Sequence, residues 1–93
     1  MPLRWTEPAA HDLDKIEAYI SRENSPIVAI NIVLEVIETV EKILPDHPRA
    51  GRIGRVTGTR ELVIDRTPFV VVYRECGTDQ VQVLRVLHDA LQW

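Results

Sequence analysis

The sequence predicts an α+β domain in which a helical hairpin near the amino terminus packs on one face of an antiparallel sheet of three to four strands. Two observations support this: apolar residues recur at helical spacing through the first half, and three apolar strand-like runs separated by short turns fill the second half. The predicted order is β-α-α-β-β-β. A chain of 93 residues has room for one core, so residues 1–93 are predicted to form a single domain.

Two helices are predicted in the first half. Residues 7–22 form the first, because Thr6 can serve as its N-cap and apolar residues follow at helical spacing. Ser25 followed by Pro26 marks the start of the second, since Ser caps a helix and Pro suits its first position. Prolines end this helix near residues 44–47. The short break between the two helices predicts an antiparallel hairpin.

Strands are predicted at residues 58–65, 69–75 and 81–88, and the extended run at residues 2–5 is a possible fourth. Short turns between the last three make them antiparallel neighbours. Residues 46–57, which we call the arginine loop, contain three arginines, two glycines and one proline. Glycine and proline interrupt regular structure, so this segment is predicted to be a loop.

The middle and last strands are apolar on both faces. In the middle strand, Phe69 and Val71 alternate with Val70 and Val72. Two helices cover only one face of a sheet, so an exposed apolar face is expected, and with it a protein partner. The alternative is that the arginine loop and the tail at residues 89–93 fold over this second face.

Charge is distributed unevenly along the chain. Residues 1–48 hold four basic and nine acidic side chains, whereas residues 49–93 hold seven and five. The guanidinium fork of arginine suits carboxylate or phosphate recognition, although arginines paired with neighbouring acids on a solvated surface are the simpler interpretation. All seven basic residues of the second part are arginines: Arg49, Arg52, Arg55, Arg60, Arg66, Arg74 and Arg85.

Several classes of protein are disfavoured by the composition. The single cysteine, Cys76, excludes an internal disulfide and a multi-cysteine zinc site, and the three histidines have no ligand-pair spacing. We therefore expect no metal and no cofactor. The longest apolar stretch, residues 27–37, is about half of the roughly 20 residues that a membrane span needs. The amino terminus lacks the apolar segment of a signal peptide, so a cytoplasmic protein without membrane association is expected.

The order of elements and several segments together resemble the RelE/ParE superfamily of toxins from bacterial type II toxin-antitoxin modules. The segments are LRWTEPAAHDLDKIEAYI, HPRAGR, GTRELVI, PFVVVYR and VLRVLHDALQW, which span nearly the whole chain. The resemblance implies a cytoplasmic growth inhibitor that a cognate antitoxin holds inactive. It also implies that DNA is contacted only indirectly, through the antitoxin.

Two mechanisms are associated with this superfamily. RelE-like members cleave messenger RNA on the ribosome without a metal, a reaction that needs an acid, a base and cations around the phosphate. By resemblance, Arg60 and Arg85 stand where those enzymes keep phosphate-stabilising arginines, and His88 stands near a terminal acid or base. A second acid or base would have to be Tyr73 or Glu61.

ParE-like members instead inhibit DNA gyrase through a protein contact, with no catalytic residues of their own. The isoelectric point near 5.5 favours this mechanism, because ribosome-binding proteins are usually strongly basic. The arginine-rich second half keeps the RelE-like alternative open. A third hypothesis is a small binding module whose arginine loop recognises phosphate or carboxylate. The residues predicted to contact a partner are Arg52, Arg55, Arg60, Arg74, Arg85 and Trp93.

Overall fold

The computed structural model describes residues 1–89 and confirms the α+β architecture of a helical hairpin packed on a sheet. The sheet has five strands, against the three to four predicted. The elements in chain order are β1 (Leu3–Trp5), α1 (Glu7–Glu23), α2 (Pro26–Ile43), β2 (Arg52–Ile53), β3 (Arg60–Val63), β4 (Phe69–Cys76) and β5 (Gln80–His88).

Both helices begin at the predicted caps. The Thr6 hydroxyl oxygen accepts a hydrogen bond from the Ala9 N–H at 3.4 Å, and the Ser25 hydroxyl accepts one from the Val28 N–H at 3.2 Å. Each cap satisfies an amide that has no partner within the helix. A proline in the first turn of each helix fits the same rule, because its missing N–H would have had no acceptor there.

The two additional strands lie at opposite edges of the sheet, whose order is β1-β5-β4-β3-β2. β1 pairs in parallel with β5, so the sheet is not wholly antiparallel. Parallel pairing is possible here because a long connection, through both helices and the rest of the sheet, separates the two strands. β2 lies inside the arginine loop, where the sequence predicted no regular structure, and pairs with β3 through Arg52 and Ile53.

The main core lies between the hairpin and one face of the sheet. Val36 and Val40 of α2 pack in the same buried cluster as Val71 and Tyr73 of β4 and Val83 of β5. All five side chains are fully buried. The hairpin therefore covers the central strands, as predicted.

The second face of the sheet is not exposed at its middle strand, and the prediction that it would be is wrong. Val70 and Val72 are only 3% and 0% exposed. The Arg52 Nη2 atom lies 3.0 Å from Glu61 Oε1 on β3 and 4.0 Å from Asp89 Oδ1 beyond β5. Because β4 lies between β3 and β5, this side chain extends across β4. The arginine loop thus covers part of this face, and the tail residues 90–93 lie outside the described residues.

Candidate functional site

A buried carboxylate on α1 holds the last strand. Asp12 Oδ2 accepts hydrogen bonds from Arg85 Nε at 2.7 Å and from the Val86 N–H at 3.0 Å, while its Oδ1 accepts one from Arg85 Nη2 at 3.0 Å. β1 pairs with β5 only at residues 81–83, so the following residues of β5 would otherwise present an unpaired edge. The hydrogen bonds to Asp12 raise the pKa of Arg85, although burial opposes the rise.

A second buried carboxylate holds the arginine loop. Glu61 is 2% exposed and accepts hydrogen bonds from Arg52 Nη2 at 3.0 Å and from the Arg55 N–H at 3.1 Å. Burial opposes ionisation of this carboxyl. The Arg55 amide, the Arg52 side chain and the charges of both arginines outweigh that effect and hold the pKa of Glu61 below its ordinary value. Glu61 therefore anchors the loop as a carboxylate.

The loop is fixed a second time at Gly51. Its N–H donates to the Tyr73 hydroxyl at 2.8 Å, and its carbonyl accepts a hydrogen bond from Arg60 Nη1 at 2.8 Å. A Cβ atom at this position would lie 2.8 Å from the Glu61 carbonyl oxygen and from the Tyr73 ring, so the close approach requires glycine. Burial raises the pKa of Tyr73, more than the Gly51 hydrogen bond lowers it. The neutral hydroxyl is thus the form that the loop contacts.

A largely apolar cavity of about 730 Å³, which we call the helix–sheet groove, lies between the hairpin and the end of β5. Tyr19 on its wall is 57% exposed. Phe69 and His88 meet edge to face at its base, with ring centroids 5.9 Å apart. The apolar and aromatic residues that line the groove are Ile16, Tyr19, Ile20, Ile32, Pro68, Phe69, Val86 and Leu87, with Asp12, Lys15, Asn24, Arg85 and His88 among them.

An exposed apolar stripe runs along the first half of α2. Ile27, Ile30 and Leu34 follow at helical spacing and are 72%, 48% and 45% exposed. No charged residue lies between Pro26 and Leu34. The broad apolar face of α2 therefore splits into a half that packs in the core and a half that faces solvent.

A smaller cavity of about 320 Å³, which we call the basic pocket, lies beside the arginine loop. Arg49, Arg60 and Arg74 line it, and Glu75 is the one carboxylate that the described part of the chain contributes to its lining. Ile53, which is 81% exposed, also borders it. Gly58 and Thr59 complete the wall.

The predicted site residues lie in separate places. Arg85 and His88 line the helix–sheet groove, whereas Arg60 lines the basic pocket, with β4 between their two strands. Arg52 and Arg55 bind Glu61, and Arg74 Nε donates to Gln82 Oε1 at 3.1 Å. Trp93 lies outside the described residues. The three candidate catalytic side chains thus do not share one cavity.

Sequence reasoning missed Asp12 and Gly51, although the first carried a signal. Asp12 occupies the helical spacing of Ala9, Ile16 and Ile20, so a carboxylate stands within the apolar face of α1. A charge at such a position usually has a buried partner. Gly51 carried no comparable signal, since the ring that it contacts is 22 residues away in the chain.

Within residues 1–89, no group of three or more histidine, cysteine, aspartate or glutamate side chains could hold a metal ion. Within the same residues, no helix has both the length and the apolarity to cross a membrane.

Comparison with known proteins shows consistent similarities. Residues 3–93 match the family model described as ParE toxin of type II toxin-antitoxin system, parDE. A protein of Sinorhizobium fredii named "Putative toxin Y4kP" is 37% identical over 91 residues, which cover 98% of this chain and 91% of that protein.

Two solved structures are similar in fold and sequence. One is a chain of the chromosomal ParDE toxin-antitoxin system of P. aeruginosa, with a TM-score of 0.89, 34% identity and 95% of each chain covered. The other belongs to the RelBE2 toxin-antitoxin complex of Mycobacterium tuberculosis, with a TM-score of 0.69, 26% identity, and 94% of this chain and 88% of that one covered.

Proposed function

The chain belongs to the ParE toxin family of type II toxin-antitoxin systems, and from this premise we propose that it arrests bacterial growth by binding a protein target such as DNA gyrase. A cognate antitoxin keeps it inactive in the cytoplasm, and DNA is contacted only through that antitoxin. The toxin requires no cofactor.

The separation of Arg60 from Arg85 and His88 supports a binding mechanism over RNA cleavage. Cleavage needs an acid, a base and stabilising cations within hydrogen-bond reach of one phosphate. Arg60 lines a different cavity from the other two. Arg85 is also bound by the Asp12 carboxylate through two hydrogen bonds, which neutralises the charge that a phosphate would need.

The overall charge of the chain also supports a binding mechanism over RNA cleavage. The formal net charge is −3, and the exposed residues Glu38 and Glu41 of α2, with half-buried Glu35, add a negative surface. RNA binding derives much of its affinity from neutralised phosphates, so a negatively charged protein starts from an unfavourable field.

The helix–sheet groove and the apolar stripe of α2 are the surfaces that best fit an antitoxin. The groove is apolar, and Tyr19 and Ile27 would lose exposed area to water if an apolar segment covered them. Burial of apolar area contributes about 25 cal/mol of favourable binding free energy per Å². An amphipathic segment that orders on binding can cover both surfaces.

A supercoiling assay tests the proposed target. Purified toxin at molar excess is expected to inhibit ATP-dependent supercoiling by gyrase and to leave ribosome-bound message intact. Addition of the antitoxin, the expected product of a neighbouring reading frame, should restore supercoiling. Normal supercoiling at excess toxin, in a preparation that still arrests growth, would contradict gyrase as the target.

The RelE-like alternative makes the opposite prediction. It requires message cleavage that is lost in Arg60→Ala and His88→Ala while the unfolding midpoint stays close to that of the wild type. Under our proposal, no cleavage occurs and His88→Ala leaves supercoiling inhibition within about twofold of wild type, because this side chain performs no chemistry.

The antitoxin surface is tested by Tyr19→Asp, which places a charge on the exposed wall of the groove. We expect antitoxin affinity to fall by at least about tenfold, since a buried unpaired carboxylate costs more than 1.4 kcal/mol. His11→Asp is the matched control, because His11 is also exposed on α1 but does not line the groove. Equal affinity for the two variants would place the antitoxin elsewhere.

A further inference from the structure

We propose that the basic pocket binds the carboxylates of an acidic segment of a protein partner. This goes beyond the proposed function, because it assigns a ligand chemistry to a second surface and holds whichever protein the toxin inhibits. The pocket shares none of its lining residues with the helix–sheet groove.

The arginines of the pocket keep most of their hydrogen-bonding capacity. A guanidinium has five N–H donors. Arg60 uses one on the Gly51 carbonyl, Arg74 uses one on Gln82, and Arg49 forms an ion pair with Glu75 at 3.5 Å. The Arg49 side chain is 80% exposed, so that ion pair is weak and can be exchanged for another carboxylate.

The same few contacts hold the pocket in shape before any ligand arrives. Arg60 is fixed to Gly51, which is in turn fixed to the buried Tyr73 hydroxyl. Arg74 is held against β5 by Gln82. Side chains that are already ordered lose less conformational entropy on binding, so the remaining N–H groups form a prearranged set of donors.

Two other arginines of the second half already have buried carboxylates as partners. Arg52 and Arg85 bind the carboxylates of Glu61 and Asp12, each of which is almost completely buried. Exchange of these partners would leave a buried carboxylate unpaired, which is costly. Among residues 1–89, the basic pocket is lined by one carboxylate, Glu75, and three guanidinium groups, and its field therefore favours an added anion.

A protein segment fits this pocket better than a nucleic acid does. Ile53 borders the arginines and is 81% exposed, which provides an apolar contact beside the charged ones. The cavity of about 320 Å³ suits a few side chains. A long polyanion would extend over the acidic remainder of a chain with a net charge of −3, whereas a short acidic segment would not.

Fluorescence anisotropy with a labelled peptide of alternating glutamate and leucine tests the proposal at low ionic strength. We expect the full chain to bind it, and Arg74→Gln to weaken binding about tenfold, as loss of a charge-assisted hydrogen bond predicts. Ile53→Ser should weaken binding about threefold. Arg22→Gln, an exposed arginine of α1 outside the pocket, is the matched control and should bind as the wild type does.

Three outcomes would overturn the proposal. The first is no binding of the peptide by the wild-type chain. The second is an equal loss of binding in Arg74→Gln and Arg22→Gln, which would indicate non-specific attraction. The third is a single-stranded RNA oligonucleotide of equal charge that binds more tightly and is released by Arg74→Gln, because the pocket would then be a phosphate site. Gyrase inhibition is measured in a separate assay. The proposal for the basic pocket and the proposal that gyrase is the target can therefore fail independently of each other.

Discussion

The helix–sheet groove and the basic pocket both contain arginine, but the side chain has a different role in each. In the groove, Arg85 is neutralised by buried Asp12 and helps to close the edge of β5. In the basic pocket, Arg60 and Arg74 hydrogen-bond to neutral oxygens and keep donors for an external anion. These arginines therefore have two roles. An arginine that the fold places beside a buried carboxylate stabilises the structure, whereas one beside neutral oxygens can bind an external anion.

The largest loss of stability is expected when Asp12, the partner of Arg85 in the groove, is replaced. Asp12→Ala removes the acceptor of three hydrogen bonds and leaves the Val86 N–H buried without one. We expect the free energy of unfolding, measured in urea, to fall by about 3 kcal/mol. This is the smallest loss usual when one partner of a buried ion pair is removed, and it applies here because the Arg85 side chain is 41% exposed. Asp14→Ala, at an exposed position of the same helix, should change it by less than about 0.5 kcal/mol. A loss below about 1 kcal/mol in Asp12→Ala would show that this pair does not hold β5.

The next largest loss of stability is expected at Gly51, whose carbonyl holds the pocket residue Arg60. Gly51→Ala places a methyl group 2.8 Å from the Tyr73 ring and from the Glu61 carbonyl oxygen. We expect thermal unfolding to show a loss of about 2 kcal/mol, as in overpacked cores. Ala50→Ser, at the exposed residue next to Gly51 in the chain, is the control and should change the free energy of unfolding by less than about 0.5 kcal/mol. Equal stability of the two variants would mean that the loop does not depend on contact with Tyr73.

Acid should weaken the anchor that Glu61 provides for the arginine loop. The folded-state pKa of Glu61 lies below its ordinary value, so its contribution is present above the unfolded-state pKa and is lost as pH falls through the folded-state value. Glu61→Gln should lower the free energy of unfolding by about 1 kcal/mol at neutral pH. The loss is limited because the side chains of Arg52 and Arg55 are about half exposed, so water screens their charges. The stability of this variant should then depend less steeply on pH over the acidic range. An unchanged slope in urea unfolding from neutral to acidic pH would contradict this role.

The smallest effect on stability is expected in the basic pocket itself. Arg74→Gln loses one exposed hydrogen bond to Gln82, so the free energy of unfolding should change by less than about 0.5 kcal/mol. Binding of the acidic peptide should nevertheless weaken about tenfold. A loss of more than about 1.5 kcal/mol would make Arg74 a structural residue like Arg85 and remove the contrast between the two surfaces.

The fold was largely predictable because its signals are local. Caps at Thr6 and Ser25, and apolar periodicity, identified both helices and the three main strands. The pairing of β1 with β5 and the extension of Arg52 across β4 were not predictable in the same way. They depend on contacts between distant parts of the chain, such as Leu3 beside Val81.

The candidate site was predictable in composition but not in arrangement. Arg60, Arg74 and Arg85 were identified as side chains of interest, yet the sequence could not show that the first two line one pocket and the third binds Asp12. An arginine's availability depends on its neighbours in space. The exposed apolar surface was likewise predicted on the middle and last strands, whereas the most exposed large apolar side chains within residues 1–89, Ile53 and Ile27, lie on the edge strand β2 and on α2.

The most direct test of the separation between the two surfaces measures both ligands on the same two variants. Isothermal titration of the antitoxin and of the acidic peptide into Tyr19→Asp and Arg74→Gln gives four affinities. We predict that Tyr19→Asp loses only antitoxin affinity and that Arg74→Gln loses only peptide affinity, each by about tenfold. Loss of both affinities in either variant, with the fold intact, would show that the groove and the basic pocket form one surface.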